Sequence, residues 1–264
     1  MVDATSRPKL GPYILIRPLA KMPLTARWLA FHEVNQSSHV IYRFPVCHDN
    51  SEKRRFLSAV QAASAVSHPH LLKVEQFALD PTRGSWVVTP YIGDVEGIMS
   101  LERLLRAKGG SMSPSEAGRA IEQILDACAT AHGAKLHHGP IRMEDILVDR
   151  HGSLAIEMYG VSRLMRGFTV ANEELVRDEI RSIVEMGYQL ITALRAEEPL
   201  IPAGRLIKRL DPRWDDWFDA GLDPTGGFAT AIDALSALPT RPAEPVTTAT
   251  GKRSMLDILG IGRR

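Results

Sequence analysis

Cysteine is scarce in this chain: its 264 residues include only Cys47 and Cys128, far apart in the sequence. Neither belongs to a cluster with the spacing of metal ligands, so nothing predicts a disulfide framework or a metal-stapled fold. A chain of this length buries a substantial core without such cross-links. We therefore expect two free thiols in a reducing compartment.

The chain also lacks a long apolar run and an excess of one charge. No apolar stretch reaches the roughly 18 residues of a membrane span, and the start contains no apolar signal core. Lys and Arg total 32 against 31 Asp and Glu, and this balance argues against a nucleic-acid or anionic-membrane surface. We expect a soluble, cytoplasmic protein with no membrane span and no nucleic-acid partner.

Glycine is missing between Gly11 and Gly84. Over this part of the chain, short stretches rich in β-branched and aromatic residues alternate with turn-forming residues, which predicts antiparallel strands. A helix with a capping sequence at Asn50 and a stop at Pro69 is expected among them. The predicted strands are 13–17, 26–31, 39–44, 72–78 and 85–89.

Helical periodicity replaces the strand pattern from about residue 100. A capping box at Ser113 and Glu116 precedes an apolar stripe that predicts a helix as far as Gly133. A second long helix around 180–194 is apolar on more than one side, which is typical of a central helix. Further on, Trp214 and Trp217 predict a core helix rather than a binding surface.

This order of elements, and several local sequences, resemble a protein kinase of the bacterial serine/threonine type. HVIYRF resembles the third-strand motif V-A-I-K, SHPHLLKVEQF resembles the segment after the regulatory helix, and residues 101–156 resemble the region of the catalytic loop. The resemblance implies an α+β, two-lobed fold. The predicted division of the chain is an N-terminal tail (1–10), a kinase-like domain (11–239) and a flexible, Pro- and Thr-rich C-terminal tail (240–264). In the domain, an N-lobe of about 11–90 holds a five-stranded antiparallel sheet and one helix, and a C-lobe of about 91–239 is mainly helical.

The positions with which a kinase holds ATP depart from the family pattern. The phosphate-covering loop needs glycine, and the aligned segment 19–27 has none and contains Pro23. The strand lysine aligns with Arg43 and its ion-pair partner on the regulatory helix with Ala59, so that couple is absent from both sides. The alanine that admits adenine aligns with Ile41, whose volume is expected to intrude on the pocket.

The positions that carry the chemistry depart as well. The His-Arg-Asp motif aligns with His138-Gly139-Pro140, so a proline replaces the carboxylate that would accept the substrate proton. The magnesium-binding Asn aligns with Asp145, which can still hold a cation. The metal-binding Asp of Asp-Phe-Gly aligns with Met158, whose thioether does not bind Mg²⁺.

Positions that support the architecture are kept. The resemblance implies that His138 and Tyr159 fill two layers of a hydrophobic spine and that Asp178 or Glu179 holds the catalytic loop. Ala171-Asn172-Glu173 stands where Ala-Pro-Glu is expected, which makes the activation segment short. A vestigial nucleotide cleft is expected to be lined by Ile41, Arg43, Thr89, Tyr91 and Leu147.

Three hypotheses follow about function. The first is a catalytically inactive kinase-like domain, a pseudokinase, without cofactor or metal, which acts as a protein-interaction or regulatory scaffold in bacterial signalling with an unidentified protein partner. The second is a divergent serine/threonine kinase that binds ATP and Mg²⁺ weakly through Asp145, with Glu144 or Glu157 as a relocated base. The third is nucleotide binding without transfer.

Three histidines lie close together in the sequence near the catalytic loop: His132, His137 and His138. Their spacing matches no zinc pattern. The sequence therefore predicts no metal site at this cluster.

Overall fold

An antiparallel sheet with one helix forms the first part of the chain, and a mainly helical part follows. The computed structural model describes residues 8–20, 25–80, 84–93, 97–169 and 172–240. The α+β, two-lobed architecture expected from the sequence is confirmed. Most of both predicted tails, together with Pro23 and Ala171, lies outside the described residues, so the tail boundaries remain predictions.

The large sheet has six strands in the order β1-β2-β3-β4-β6-β5, and every neighbouring pair is antiparallel. Five strands were predicted, and the sixth is a short additional strand, Lys9–Leu10, at the start of the chain. The strand predicted at 72–78 is shorter than expected and spans only Gln76–Ala78. The strands are β1 Lys9–Leu10, β2 Tyr13–Pro18, β3 Ala26–His32, β4 Ser37–Arg43, β5 Gln76–Ala78 and β6 Trp86–Pro90.

One helix, α1 (Asn50–Ala65), packs on one face of this sheet. Its N-cap is Asp49, whose Oδ1 accepts the Glu52 N–H at 2.8 Å, so the helix is capped one residue earlier than the sequence predicted. We call the face toward α1 the cleft face, because its apolar cluster continues into residues of the helical part. The opposite face carries a separate, smaller cluster.

The helical part is built around α5, which contacts α3, α6 and α7. The predicted capping box of Ser113 and Glu116 opens α3, and Trp214 and Trp217 are buried in the core as expected. Its elements are β7 Met99–Ser100, α2 Leu101–Ala107, α3 Pro114–Gly133, β8 Ile146–Val148, β9 Leu154–Ile156, α4 Val161–Met165, α5 Glu173–Thr192, α6 Ala203–Leu206, α7 Arg213–Leu222 and α8 Ala231–Ser236. Across the described ranges, every helix is too short or too polar to cross a membrane.

The close approach of α7 to α5 gives a first prediction. A Cβ on Gly221 would lie 2.6 Å from the Val184 Cγ2 atom and 2.9 Å from Phe228 Cε2. We expect Gly221→Ala to lower the free energy of unfolding by about 1–3 kcal/mol in urea denaturation, because overpacking outweighs the better helix propensity of alanine.

Gly133 is the matched control, because a Cβ there meets nothing within 4 Å. Gly133→Ala should leave the free energy of unfolding unchanged or raise it by up to about 1 kcal/mol. Equal effects of the two substitutions would contradict the packing described for Gly221.

Candidate functional site

Two neighbouring strands bring a cation and a phenol to the cleft face of the sheet. Arg27 of β3 and Tyr42 of β4 lie directly opposite each other in the antiparallel register. Directly opposed residues share a face, so their side chains extend side by side toward the helical part.

Glu157, the residue after β9, meets both of these side chains. The Arg27 Nη1 donates to Oε1 of Glu157 at 2.7 Å and to Oε2 at 3.0 Å, and the Tyr42 hydroxyl donates to Oε1. The Glu157 side chain is fully buried, and the exposed fraction of the Arg27 side chain is 12%. We call Arg27, Tyr42 and Glu157 the cleft triad; it joins the sheet to the helical part.

The surroundings of the triad keep its phenol protonated. Burial raises the pKa of Tyr42 well above its usual range, and the negative charge of Glu157 raises it further. Tyr42 is therefore a neutral hydrogen-bond donor at physiological pH. The Arg27 Nε also donates to the Ala20 carbonyl at 2.8 Å, which ties the triad to the start of segment 19–27.

The strand register corrects the alignment of the third-strand motif. Arg43 is exposed, and Ile41 lies in the cluster on the opposite face, so neither lines the cleft as the sequence analysis expected. Moving the alignment by one residue matches His39-Val40-Ile41-Tyr42 to V-A-I-K, with Tyr42 at the lysine position and Val40 at the alanine position. A one-residue shift inverts every assignment because successive side chains of a strand point to opposite faces.

The other predicted cleft positions do lie on the cleft face. Ala59 of α1 is fully buried in the same cluster as Tyr42, where it offers no charge to pair with. Leu147 and Tyr91 belong to or pack against this cluster. Thr89 is buried opposite Val40 in the β4–β6 register, and its hydroxyl donates to the Pro90 carbonyl at 3.3 Å.

A buried carboxylate holds the catalytic loop. One oxygen of Glu179, Oε2, accepts the backbone N–H groups of His138 and Gly139 at 2.9 and 2.8 Å. The other, Oε1, accepts the Tyr159 hydroxyl and contacts His132 Nε2 at 3.1 Å. The rings of His138 and Tyr159 also touch, with centroids 5.4 Å apart, as expected of two spine layers.

The structure decides between Asp178 and Glu179, which the sequence analysis left open. Asp178 is exposed, whereas Glu179 is fully buried, because consecutive residues differ by about 100° around a helix axis. Burial alone would raise the pKa of Glu179, but hydrogen bonds from His132, Tyr159 and Gly139 lower it below its usual value. Glu179 is therefore a buried anion at neutral pH.

The aligned catalytic positions meet around one cleft of 730 Å³, lined by Pro140, Asp145, Glu157 and Met158 among others. We call this the catalytic-loop cleft. The Asp145 carboxylate accepts the Arg142 backbone N–H at 3.1 Å and its Nε and Nη2 at 3.3 Å each. Met158 is buried in the cleft-face cluster. The one carboxylate aligned with a magnesium ligand is thus already hydrogen-bonded to a neighbouring guanidinium.

The segment after Gly160 is short, as expected. It contains α4, and Asn172 then caps α5 through its side chain, which accepts the Leu175 N–H at 2.9 Å. Glu173 lies in the first turn of α5, exposed, and contacts only Arg177 at 3.8 Å among the charged groups described.

Two members of the cleft triad, Arg27 and Tyr42, are not among the site residues predicted from the sequence, and Glu157 is predicted only as an alternative base. A signal was present, because Arg27 interrupts the apolar side of a strand and Glu157 directly follows a fully buried one. Their meeting is a tertiary contact across 130 residues.

The Glu179 network gives a second prediction. Glu179→Gln should lower the free energy of unfolding by about 3 kcal/mol, because two buried backbone N–H groups and a phenol lose a charged acceptor. Chemical denaturation measures this change. The adjacent Asp178→Asn is the control and should change stability by less than about 0.5 kcal/mol, since Asp178 is exposed; the reverse ranking would refute the assignment.

Known proteins resemble this chain in sequence and fold. The sequence profile of protein tyrosine and serine/threonine kinases matches residues 25–180. Serine/threonine-protein kinase PrkC of Bacillus subtilis is 30% identical over 136 residues, 52% of this chain and 20% of that protein. CBL-interacting protein kinase 1 of Oryza sativa subsp. japonica is 27% identical over 99 residues, 38% of this chain and 20% of that protein. The chain thus aligns with about a fifth of the length of these curated relatives.

Among solved structures, the PknI kinase domain of Mycobacterium tuberculosis has the same fold. It shares 16% sequence identity and a TM-score of 0.68, over 89% of this chain and 98% of that domain. Because the profile covers more than half of the sequence, this chain belongs to the protein kinase family.

Proposed function

We propose that this chain is a pseudokinase, a kinase-fold domain that acts in bacterial signalling as a protein-interaction or regulatory scaffold rather than by phosphoryl transfer. The observation that carries the proposal is the cleft triad. It fills with the protein's own side chains the part of the cleft where a kinase neutralises the phosphates of ATP.

Charge in the cleft argues against phosphate binding. Kinases catalyse largely by positioning and by neutralising phosphate charge. Here the lysine position holds the neutral Tyr42, and Arg27 is bound through both oxygens of Glu157. A phosphate entering this place would meet the buried Glu157 carboxylate and compete with it for the Arg27 guanidinium, which makes binding there unfavourable.

At the aligned positions of the catalytic-loop cleft, other residues replace the groups that transfer needs. Pro140 has no titratable group to accept a proton, and the Met158 thioether is a poor ligand for a hard cation. Asp145, the remaining aligned ligand, accepts three hydrogen bonds from Arg142. Binding Mg²⁺ there requires that this pairing be broken.

Buried contacts that involve no nucleotide hold the catalytic loop and the spine in place, which supports the scaffold role. Glu179 orders the catalytic loop from within, and the His138–Tyr159 contact keeps the spine packed. A fold held in one arrangement by its own contacts presents the same surface whether or not a ligand is bound. Such a preorganised surface lowers the free-energy cost of binding a partner. The similarity to bacterial kinases from Bacillus and Mycobacterium is the ground for assigning bacterial signalling.

A divergent kinase is the second candidate, favoured by one observation. Asp145 and Glu157 line the same cleft, with Glu144 beside them on the surface, so carboxylates are present near the family's catalytic positions. Glu157 is nevertheless tied to Arg27, and Glu144 contacts Arg142 at 3.3 Å. Each carboxylate must therefore break its ion pair with an arginine before it can act as the base.

A nucleotide test separates these functions. We expect the midpoint of thermal unfolding to be unchanged by millimolar ATP with Mg²⁺, whereas ATP at 100 times its dissociation constant would stabilise the fold by about 2.7 kcal/mol. A radiolabel transfer assay should also be blank. Stabilisation without product would support nucleotide binding alone, and turnover lost on Asp145→Ala would support the kinase.

The scaffold part of the proposal has its own test. A pull-down with the wild-type chain and with Asp145→Ala should retain the same stoichiometric protein partner, with or without ATP. A partner retained only by the wild type with ATP would contradict a nucleotide-independent scaffold.

The cleft triad gives a further prediction. Glu157→Gln should lower the free energy of unfolding by roughly 3 kcal/mol, because Arg27 is left as a poorly compensated charge in a buried site. The control Glu144→Gln, exposed beside the same cleft, should change it by less than about 0.5 kcal/mol. A double-mutant cycle with Arg27→Met measures the coupling, and additive effects would show that the triad does not join the two parts of the fold.

A further inference from the structure

Two histidines and a carboxylate converge beneath the catalytic loop. His132 lies in the last turn of α3, His137 immediately precedes the loop, and Glu179 projects from α5. One ligand atom from each residue lies within 4.8 Å of the other two. Three different segments of the chain therefore supply two imidazoles and a carboxylate to one point.

The distances come close to those of a metal centre. Metal–ligand bonds of about 2.0–2.2 Å set the ligand atoms of a tetrahedral zinc ion roughly 3.3 Å apart. His132 Nε2 and Glu179 Oε1 are already 3.1 Å apart. The His137 ring needs to approach by only about 1.5 Å, which a side-chain rotation supplies.

His137 has an unsatisfied atom at this place. Its Nδ1 is buried, and no hydrogen-bond partner for it exists within the described part of the chain. Its ring lies against that of His132, with centroids 4.8 Å apart. Buried polar atoms are nearly always satisfied, so an orphaned imidazole nitrogen beside a second imidazole and a carboxylate points to a missing partner.

The two residues nearest to this cluster that could also supply ligands are His138 and Cys128. His138, the third histidine, turns its ring onto Tyr159 and its Nδ1 toward the Gly139 carbonyl, so it does not belong to the cluster. Cys128, one helical turn before His132, is fully buried, and its thiol is not among the ligand atoms that lie within 4.8 Å of one another.

We propose that His132, His137 and Glu179 bind a late first-row divalent cation, Zn²⁺. Two imidazoles and one carboxylate are ligands that suit zinc, and they disfavour Mg²⁺, which prefers a full set of oxygen ligands. A cation there replaces the hydrogen bond between His132 and Glu179 with two coordinate bonds. It ties the end of α3, the catalytic loop and α5 to one point without any nucleotide.

The test is a Zn²⁺ titration of the whole chain, freed of metal with a chelator and monitored with a competing chromophoric chelator. We expect one equivalent bound and a raised thermal midpoint, neither affected by excess Mg²⁺. His137→Asn should weaken Zn²⁺ binding by more than about 100-fold, the upper range for losing a mere outer-shell partner. His151→Asn, an exposed histidine in another turn, is the matched control and should bind like the wild type.

Equal Zn²⁺ affinity of His137→Asn and the wild type would overturn the proposal, and so would the failure of the wild type to bind. Because His137 is only partly buried, we expect His137→Asn to fold, which circular dichroism checks. If it does not fold, Co²⁺ added to the wild type decides: a tetrahedral absorption spectrum supports the site, and an octahedral one refutes it. Neither readout depends on nucleotide binding, so this result is separate from that of the proposed function.

Discussion

The buried carboxylate of Glu179 is the interaction on which the helical part of this protein depends. It gathers backbone N–H groups of the catalytic loop, the phenol of Tyr159 and the imidazole of His132 around one charge. A buried anion is stable only when several donors compensate its lost hydration, and each of these donors comes from a different segment. Satisfying Glu179 therefore fixes the relative positions of α3, the loop and α5.

The cleft triad does the same work between the sheet and the helical part. Tyr42 and Arg27 extend from adjacent strands, and Glu157 receives both. In an active kinase, the nucleotide and its metal ions bridge the two lobes at this level. Here a neutral phenol, a guanidinium and a carboxylate form a bridge from the protein's own side chains.

Together these two buried networks explain how a kinase fold is held together when residues at the aligned catalytic positions depart from the family pattern. Packing positions such as Leu147 and the His138–Tyr159 contact are kept, and the positions that handle phosphate, metal and proton hold Tyr42, Met158 and Pro140. Fold and function are separable in this way because function depends on a few site residues and the fold depends on the core. Membership of the kinase family is thus compatible with the proposed scaffold role.

Much of this protein followed from the sequence alone. Strand alternation, the Ser113–Glu116 capping box and the local resemblance around the catalytic loop predicted the two-lobed fold, and Pro140, Asp145 and Met158 do gather at one cleft. These features are local, because capping, alternation and short motifs depend on residues near one another in the chain.

Only the tertiary structure decided which residues fill the cleft. From the sequence, Arg43 and Ile41 are predicted to line the cleft. In the structure, both side chains lie on the other face of the strand and Tyr42 lines the cleft, because a shift of one residue inverts the faces of a strand. Similarly, helix geometry selected Glu179 over Asp178. The partnership of Arg27 with Glu157 spans 130 residues, and no local pattern encodes a contact that exists only once two distant strands have packed together.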